Sequence, residues 1–156
     1  MAQVYLSVSS NYKRQRHIST ALSMLTDLFS ELEVSSVYRN PPLLGSGNDY
    51  YNLALGLKTQ LSMAKLVATL KEIENSLGRE RGQSIQLVSI DIDLLRFESS
   101  DVSFVCSDIC NRSYLLKPLS DIASKRVDPK SALNYQQLWT AFDHSQHPLV
   151  KVDLTL

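Results

Sequence analysis

The chain has 156 residues, enough for one globular domain, and we expect residues 1–156 to fold as a single unit. Apolar residues make up 44% and charged residues 21% of the sequence, which excludes a disordered or a fibrous protein. Sixteen basic residues balance sixteen acidic ones, so no overall charge attracts the chain to nucleic acid or to an anionic membrane. We therefore expect neither as a partner, and any bound anion must be held by a local group of cations.

The first residues, 1–9, carry no basic flank, and no stretch approaches the ~20 apolar residues that a membrane span requires. We therefore expect a cytoplasmic protein. Its two cysteines, Cys106 and Cys110, are expected to be reduced thiols, because no signal peptide precedes them. Together with His144 and His147 they superficially resemble a zinc set, but the histidine spacing is short and the two pairs lie far apart, so we do not expect zinc.

The first third of the chain alternates strand and helix patterns. Apolar and polar residues alternate over residues 3–9, which predicts a half-buried strand. Apolar residues then recur at steps of three and four over residues 17–32, which predicts an amphipathic helix, and residues 34–38 are a second strand candidate. Prolines, glycines and asparagines in residues 39–49 predict a long loop, and residues 50–57 alternate again as a third strand.

A second helix and a fourth strand complete the pattern. Ser62 is a suitable N-cap and Gly78 a suitable C-terminal stop for the helix, and residues 85–97 predict the strand. Residues 118–124 and 135–142 predict two further short helices. The order β-α-β-β-α-β predicts an α+β, ferredoxin-like fold, in which an antiparallel sheet carries both helices on one face and leaves the other face free for a ligand.

Two acidic residues stand out on the fourth strand. Asp91 and Asp93 are two positions apart, so both carboxylates project from the same face of the strand. Adjacent carboxylates repel one another, and a divalent cation such as Mg²⁺, shared with substrate phosphates, relieves that repulsion. The alternative is a solvated strand face, which polar alternation alone also predicts.

Three arginines are candidates for phosphate binding. Arg79 and Arg81 follow the second helix, and Arg112 lies in the segment Asn-Arg-Ser-Tyr. Guanidinium groups bind phosphate oxygens in a bidentate way. The alternative is that cations collect after a helix C-terminus because the helix dipole favours them there.

A flat slot for an aromatic ring is the remaining candidate. Tyr50 and Tyr114 offer ring faces for stacking, and the amide of Asn52 offers a donor and an acceptor to a heterocycle. The alternative is that these side chains only pack against the sheet.

Four segments carry a family resemblance. They are residues 36–43 (SVYRNPPL), 49–52 (DYYN), 89–95 (SIDIDLL) and 111–119 (NRSYLLKPL). They resemble the S-x-x-Y-x-T-x-P-x, Y-x-N, G-P-R-T-x-D-x-D-I-L and R-x-F-x-L-x-P-L segments of the 6-hydroxymethyl-7,8-dihydropterin pyrophosphokinase family of folate biosynthesis. The resemblance runs over residues 4–123, roughly three-quarters of the chain.

The resemblance implies a ferredoxin-like enzyme that transfers pyrophosphate from ATP to the hydroxymethyl oxygen of the dihydropterin and releases AMP. It implies small-molecule partners only, in a monomer or weak dimer, and two Mg²⁺ ions held by Asp91 and Asp93, with Arg79 and Arg81 as further catalytic groups. Glu74 and Arg112 would lie near the nucleotide. The implied pterin-binding residues are Asn40, Pro41, Leu43, Tyr50, Asn52 and Tyr114.

Three segments depart from the family pattern. Residues 84–89 read SIQLVS where the family has R-W-G-P-R-T, residues 105–106 read Val-Cys where it has Pro-His, and residues 9–11 read Ser-Ser-Asn where it has Gly-Ser-Asn. The losses fall on cations that touch phosphate. One such arginine is worth about 10³ to 10⁵ in rate, whereas a lost charged hydrogen bond costs roughly 1.5 to 3 kcal/mol. We therefore predict that turnover is weakened more than pterin binding.

Two other interpretations remain open at the level of the sequence. The chain could be a non-catalytic paralogue that binds a pterin-like heterocycle, or a protein partner, through the same cleft. Alternatively only the scaffold is shared, and the cleft serves another small molecule, because one fold hosts many functions.

Overall fold

The computed structural model describes residues 1–43, 47–78, 87–145 and 148–154. The strands are β1 Ala2–Ser10, β2 Glu33–Val34, β3 Val37–Asn40, β4 Tyr50–Thr59, β5 Asp91–Glu98, β6 Ser103–Val105 and β7 Val150–Val152. The helices are α1 Arg14–Phe29, α2 Met63–Ser76, α3 Ser113–Ile122 and α4 Tyr135–Ala141. None of the helices in these ranges is long and apolar enough to cross a membrane.

The described strands form one antiparallel sheet in the order β6-β5-β1-β4-β3-β7, with β2 paired to β4 beside β3. Its centre, β5-β1-β4-β3, has the strand order expected of a split βαβ fold, because α1 and α2 each connect strands that are not neighbours. The predicted α+β, ferredoxin-like fold class is confirmed.

Helices α1 and α2 cover one face of the sheet, as predicted. Ile18 and Leu25 of α1 and Leu70 of α2 are buried there against apolar side chains of β1, β4 and β5. The Ser62 hydroxyl accepts the Lys65 backbone N–H at 3.2 Å and caps α2. This local signal sets the start of α2, whereas α1 has no side-chain cap and lies at Arg14–Phe29 instead of the predicted residues 17–32.

Helices α3 and α4 cover part of the opposite face, which was predicted to be free for a ligand. Leu116 and Tyr135 are fully buried there, against Leu95 of β5 among others. The predicted helix over residues 118–124 was wrong at its start, because α3 begins at Ser113 and carries Pro118 in its interior. Burial of the apolar face of α3 outweighs the backbone hydrogen bond that proline cannot donate.

Two strand predictions also required correction. The predicted second strand is divided at Ser35 into β2 and β3. There the Ser35 hydroxyl, and not a backbone carbonyl, accepts the N–H of Ala54 on β4 at 2.8 Å. The fourth strand begins at Asp91 instead of residue 85. Residues 87–90 are not strand. The Val88 carbonyl instead accepts the Asn11 backbone N–H at 3.0 Å, and the Val88 N–H donates to Asn11 Oδ1 at 2.6 Å.

A bulge in β5 changes which side chains reach the core. The pairing register between β1 and β5 shifts after Leu94. Leu94 packs on the α1/α2 side, and so does Phe97 three residues later. Arg96, which unbroken alternation would place on that side, instead lies opposite and donates to the Tyr135 Oη at 2.9 Å. The bulge therefore supplies the buried cation that ties α4 to the sheet.

Candidate functional site

A cavity of about 730 Å³ opens on the α3 side of the sheet, next to the end that α3 and α4 cover. Its floor is formed by the polar sides of β1, β4 and β5, and its walls by the loop after β3 and the segment that leads into α3. The lining residues are Ser7, Ser9, Asn11, Asn40, Pro42, Leu43, Tyr50, Asn52, Asp91, Asp93, Leu94, Leu95, Cys106, Asp108, Arg112, Tyr114 and Leu115. The free part of this sheet face is therefore a cleft.

The strand register aligns the polar floor in rows. Ser9 of β1 pairs with Asn52 of β4 on one side and with Asp91 of β5 on the other. Neighbouring strands lie about 4.8 Å apart, so the amide, the hydroxyl and the carboxylate form one row across three strands. The next row carries Ser7 with Asp93.

Three carboxylates meet at the β5 end of the cleft. Glu74 of α2, Asp91 and Asp93 each offer a carboxylate oxygen, and these oxygens lie within 4.8 Å of one another. Glu74 is 1% exposed, and its Oε1 accepts the Ile92 N–H at 3.0 Å, which anchors the carboxylate to β5. The sequence predicted the aspartate pair but did not predict that Glu74 would complete the group.

The three carboxylates repel one another electrostatically. Loss of hydration, the charge of Asp91, a hydrogen bond with Asp91 and the charge of Glu74 together raise the pKa of Asp93 to about 7, although Lys71 opposes the shift. A divalent cation bound between the oxygens would remove this repulsion. The donor set, all carboxylate oxygen with one member open to solvent, fits Mg²⁺ shared with further oxygen ligands.

Hydrogen-bonded amides form the β4 end of the cleft. The Ser9 hydroxyl donates to Asn52 Oδ1 at 2.6 Å, Asn52 Nδ2 donates to Asn40 Oδ1, and Asn40 Nδ2 donates to the Pro41 carbonyl at 3.0 Å. Asn52 and Asn40 are buried. Their amides are therefore held in place before any ligand arrives.

Aromatic and apolar side chains enclose the amides. Tyr50 and Tyr114 both line the cavity, and burial raises the pKa of Tyr114. Leu43 lines it as well, and Pro42 does so where Pro41 was predicted. Pro41 contributes its backbone carbonyl to the amide chain instead. This arrangement can hold a flat ring with polar edges.

Most of the predicted site residues come together. Asn40, Leu43, Tyr50, Asn52, Asp91, Asp93, Arg112 and Tyr114 share the cavity, and Glu74 joins its acidic end. Arg79, Arg81, residues 84–86 and His147 lie outside the described residues. Further residues line the cavity that were not predicted to do so, among them Ser7, Ser9, Pro42, Cys106 and Asp108. Strand alternation would have put Ser7 and Ser9 on the face of the acids.

The charge of the cleft is unbalanced among the described residues. Asp91, Asp93 and Asp108 line it, whereas Arg112 is the cation that lines it in this part of the chain. Cys106 occupies the wall where a histidine would add a second potential cation. A polyphosphate therefore meets more negative than positive charge here unless metal ions accompany it.

The fold and the cleft are those of a ferredoxin-like α+β protein in which three carboxylates with a geometry able to hold a metal ion lie beside a slot lined by aromatic and amide side chains. The chain belongs to the 7,8-dihydro-6-hydroxymethylpterin-pyrophosphokinase (HPPK) family, whose sequence model matches residues 5–124. The family resemblance stated from the sequence is confirmed.

Individual relatives agree with this assignment. The 2-amino-4-hydroxy-6-hydroxymethyldihydropteridine pyrophosphokinase of Haemophilus influenzae is 28% identical over 153 residues, which cover 92% of this chain and 96% of the relative. The bifunctional protein FolKE of Lactococcus lactis subsp. cremoris is 31% identical over 134 residues, which cover 80% of this chain but only 38% of the relative. A crystal structure of Plasmodium falciparum HPPK-DHPS has the same fold, with a TM-score of 0.66 at 12% identity over 90% of this chain and 43% of that one.

Proposed function

We propose that the chain transfers pyrophosphate from ATP to the hydroxyl of 6-hydroxymethyl-7,8-dihydropterin, with a weakened phosphate clamp. The observation that supports the proposal is the row of Asn52, Ser9 and Asp91, in which the amide lies at one end of the cleft and the carboxylate at the other. Membership of the family supports the same reaction. Residues 1–156 would act as one domain, as a monomer or weak dimer in the cytoplasm.

The residues of the slot would bind and orient the pterin. Tyr50 and Tyr114 would enclose the ring, and the amide of Asn52, held by its two partners, would present one N–H and one lone pair to the ring edge. Asn40 would align Asn52, and Leu43 would exclude water from the ring. We expect this set to direct the hydroxymethyl group over β1 and toward the acids.

The acids would hold the nucleotide through metal ions. Asp91 and Asp93, with Glu74 beside them, would bind two Mg²⁺ ions together with the phosphates of ATP. When bound, Mg²⁺ neutralises the phosphate charge and polarises the phosphorus–oxygen bonds. The Arg112 guanidinium would bind phosphate oxygens from the opposite wall.

The proposed reaction is a single in-line displacement at the β-phosphorus of ATP. The hydroxymethyl oxygen forms a bond to the β-phosphorus while the bond from that phosphorus to the oxygen bridging to the α-phosphorus breaks. AMP leaves with the bridging oxygen, and the hydroxyl proton passes to solvent. The protein contributes mainly position and charge, which is the usual pattern of phosphoryl transfer.

The weakened clamp can be tested by restoring one group. Cys106 lines the cavity at the position of the family's histidine. We expect Cys106→His to raise kcat at least about tenfold, because a cationic ring would face developing phosphate charge. Ser145→His, on the exposed segment after α4, is the matched control and should leave kcat unchanged. Equal kcat in Cys106→His and the parent chain would show that no clamp position is vacant there.

Steady-state assays with ATP and 6-hydroxymethyl-7,8-dihydropterin test the reaction itself. We expect AMP formation that depends on both substrates and on Mg²⁺, at a rate below the ~10 s⁻¹ of an ordinary enzyme. The charge imbalance among the described residues of the cleft favours, as a second candidate, a paralogue that binds the pterin without turning over ATP. Pterin binding that persists in Asp93→Ala, without AMP formation by the parent chain at any Mg²⁺ concentration, would select this second candidate.

A further inference from the structure

The hydroxyl of Ser9 is the part of the cleft whose role the family pattern does not supply. The family carries glycine at this position, whereas Ser9 adds a side chain that lines the cavity floor. Ser9 lies between Asn52 and Asp91 in the strand register, midway between the heterocycle slot and the acids. Its hydroxyl therefore lies between the proposed pterin site and the proposed phosphate site.

The direction of the hydrogen bonds at Ser9 is set by the Pro41 backbone carbonyl. This carbonyl ends the series of hydrogen bonds that runs from Ser9 through Asn52 and Asn40. The Pro41 carbonyl can only accept, so Asn40 must turn its Nδ2 toward it, at 3.0 Å. Asn40 Oδ1 must then accept from Asn52 Nδ2, and Asn52 Oδ1 is left facing Ser9. The Ser9 hydroxyl therefore has to donate, and it does so at 2.6 Å.

A hydroxyl that is committed as a donor keeps its oxygen lone pairs for other partners. A serine hydroxyl has one proton and two acceptor sites, and the proton of Ser9 is used by Asn52. What Ser9 offers the cavity is therefore an acceptor. An acceptor recognises an N–H or O–H group of a ligand and is repelled by a carbonyl or phosphate oxygen.

The position of Ser9 selects which ligand group it meets. A ring held at Asn52, with its phosphoryl acceptor near Asp91, must pass the connecting substituent over β1. In the proposed substrate that substituent is the hydroxymethyl group, whose O–H is a donor. We propose that Ser9 Oγ accepts the hydrogen bond of this hydroxyl and thereby selects ligands that carry one, turning the oxygen lone pair toward the acids and the phosphate chain.

The inference rests on the proposed function, and a thermodynamic cycle separates the two. Calorimetry would compare 6-hydroxymethylpterin with 6-methylpterin, which lacks only the hydroxyl, in the presence of Mg²⁺ and a non-hydrolysable ATP analogue. For Ser9→Ala we expect affinity for the hydroxymethyl ligand to fall about tenfold more than affinity for the methyl ligand, since the lost bond to Asn52 affects both ligands alike whereas the neutral hydrogen bond to the ligand hydroxyl, worth roughly that factor, is lost for one only. Ser9→Gly, the family's residue, should behave in the same way, so the test does not depend on one variant.

Ser7→Ala is the matched comparison. Ser7 lines the same cavity one row away, where its neighbour on β4 is Ala54 instead of an asparagine. We expect this change to affect both ligands equally. Equal losses for the two ligands in Ser9→Ala and Ser9→Gly would overturn the role of Ser9 and leave pterin binding intact. A parent chain that binds neither ligand would instead refute the proposed function, and the role of Ser9 with it.

Discussion

Magnesium binding by the acidic group should depend steeply on pH below neutrality. The pKa of Asp93 is raised to about 7, and the metal must displace the proton that this carboxyl then carries. For one proton in competition, the apparent affinity is about twofold below its limit at pH 7, about tenfold below it at pH 6 and about a hundredfold below it at pH 5. An ordinary aspartate would show almost no change over this range.

Calorimetric titration of Mg²⁺ with a non-hydrolysable ATP analogue, from pH 5 to pH 8, measures this dependence. Repeating the titration at pH 7 in two buffers of different ionisation enthalpy counts the released protons, and we expect about half a proton per chain. Asp93→Asn should bind weakly, with little pH dependence beyond that of the nucleotide, which is measured separately. If the Mg²⁺ affinity of the parent chain varies with pH as little as that of Asp93→Asn, the raised pKa of Asp93 does not control metal binding.

The same shift predicts the pH dependence of stability without metal. The folded-state pKa of Asp93 lies above the ordinary value of 3.8, so the folded chain binds this proton more tightly than the unfolded chain between about pH 4 and pH 7. The contribution of Asp93 to stability is therefore present at low pH, is lost as the pH rises through this window, and levels off above it. Thermal unfolding, measured in the presence of a chelator, should show that the stability of the parent chain falls as the pH rises through this window. The stability of Asp93→Asn should fall less.

Substitutions at Glu74, Arg96 and Asn134 test how the site and its supports are built. Glu74→Gln keeps an acceptor for the Ile92 N–H and should leave the free energy of unfolding nearly unchanged, whereas Glu74→Leu should lower it by about 1–3 kcal/mol in urea titrations; equal stabilities would contradict the anchoring role. Arg96→Met removes the guanidinium that donates to Tyr135 Oη and should cost about 2 kcal/mol, and an unchanged urea midpoint would argue against this link between α4 and β5. Asn134→Ala removes the capping box of α4 and should cost about 1 kcal/mol, with Gln136→Ala on the exposed face of that helix as the control.

Local periodicity was enough to predict the elements whose burial follows one simple rule. Strand β4 alternates buried leucines with small or polar residues, and α1 repeats apolar residues at helical spacing, so both were placed within a few residues. Asp91 and Asp93 were assigned to one face by the same rule, and the structure has them side by side. Helix α1 buries one face only, and in β4 the large apolar side chains of one face alternate with small or polar side chains on the other, although both faces are buried.

Periodicity failed where long-range contacts override the local pattern. Alternation predicted one continuous strand over residues 85–97, but β5 begins at Asp91, because the preceding backbone bonds to Asn11 across the end of β1. The sequence predicted a helix over residues 118–124, yet α3 begins five residues earlier, at Ser113, where its apolar face meets the sheet. Neither contact leaves a trace in the neighbouring sequence.

The order of the helix and strand patterns was enough to predict the fold class, and alternation was enough to assign Asp91 and Asp93 to one strand face, because side chains alternate along a strand wherever no bulge interrupts it. Long-range packing was needed to bring Glu74 to the acidic group and to put Ser9 between the two halves of the cleft. Such neighbours are set by strand register and by helix packing, which arise from the burial of the whole core and not from any one segment.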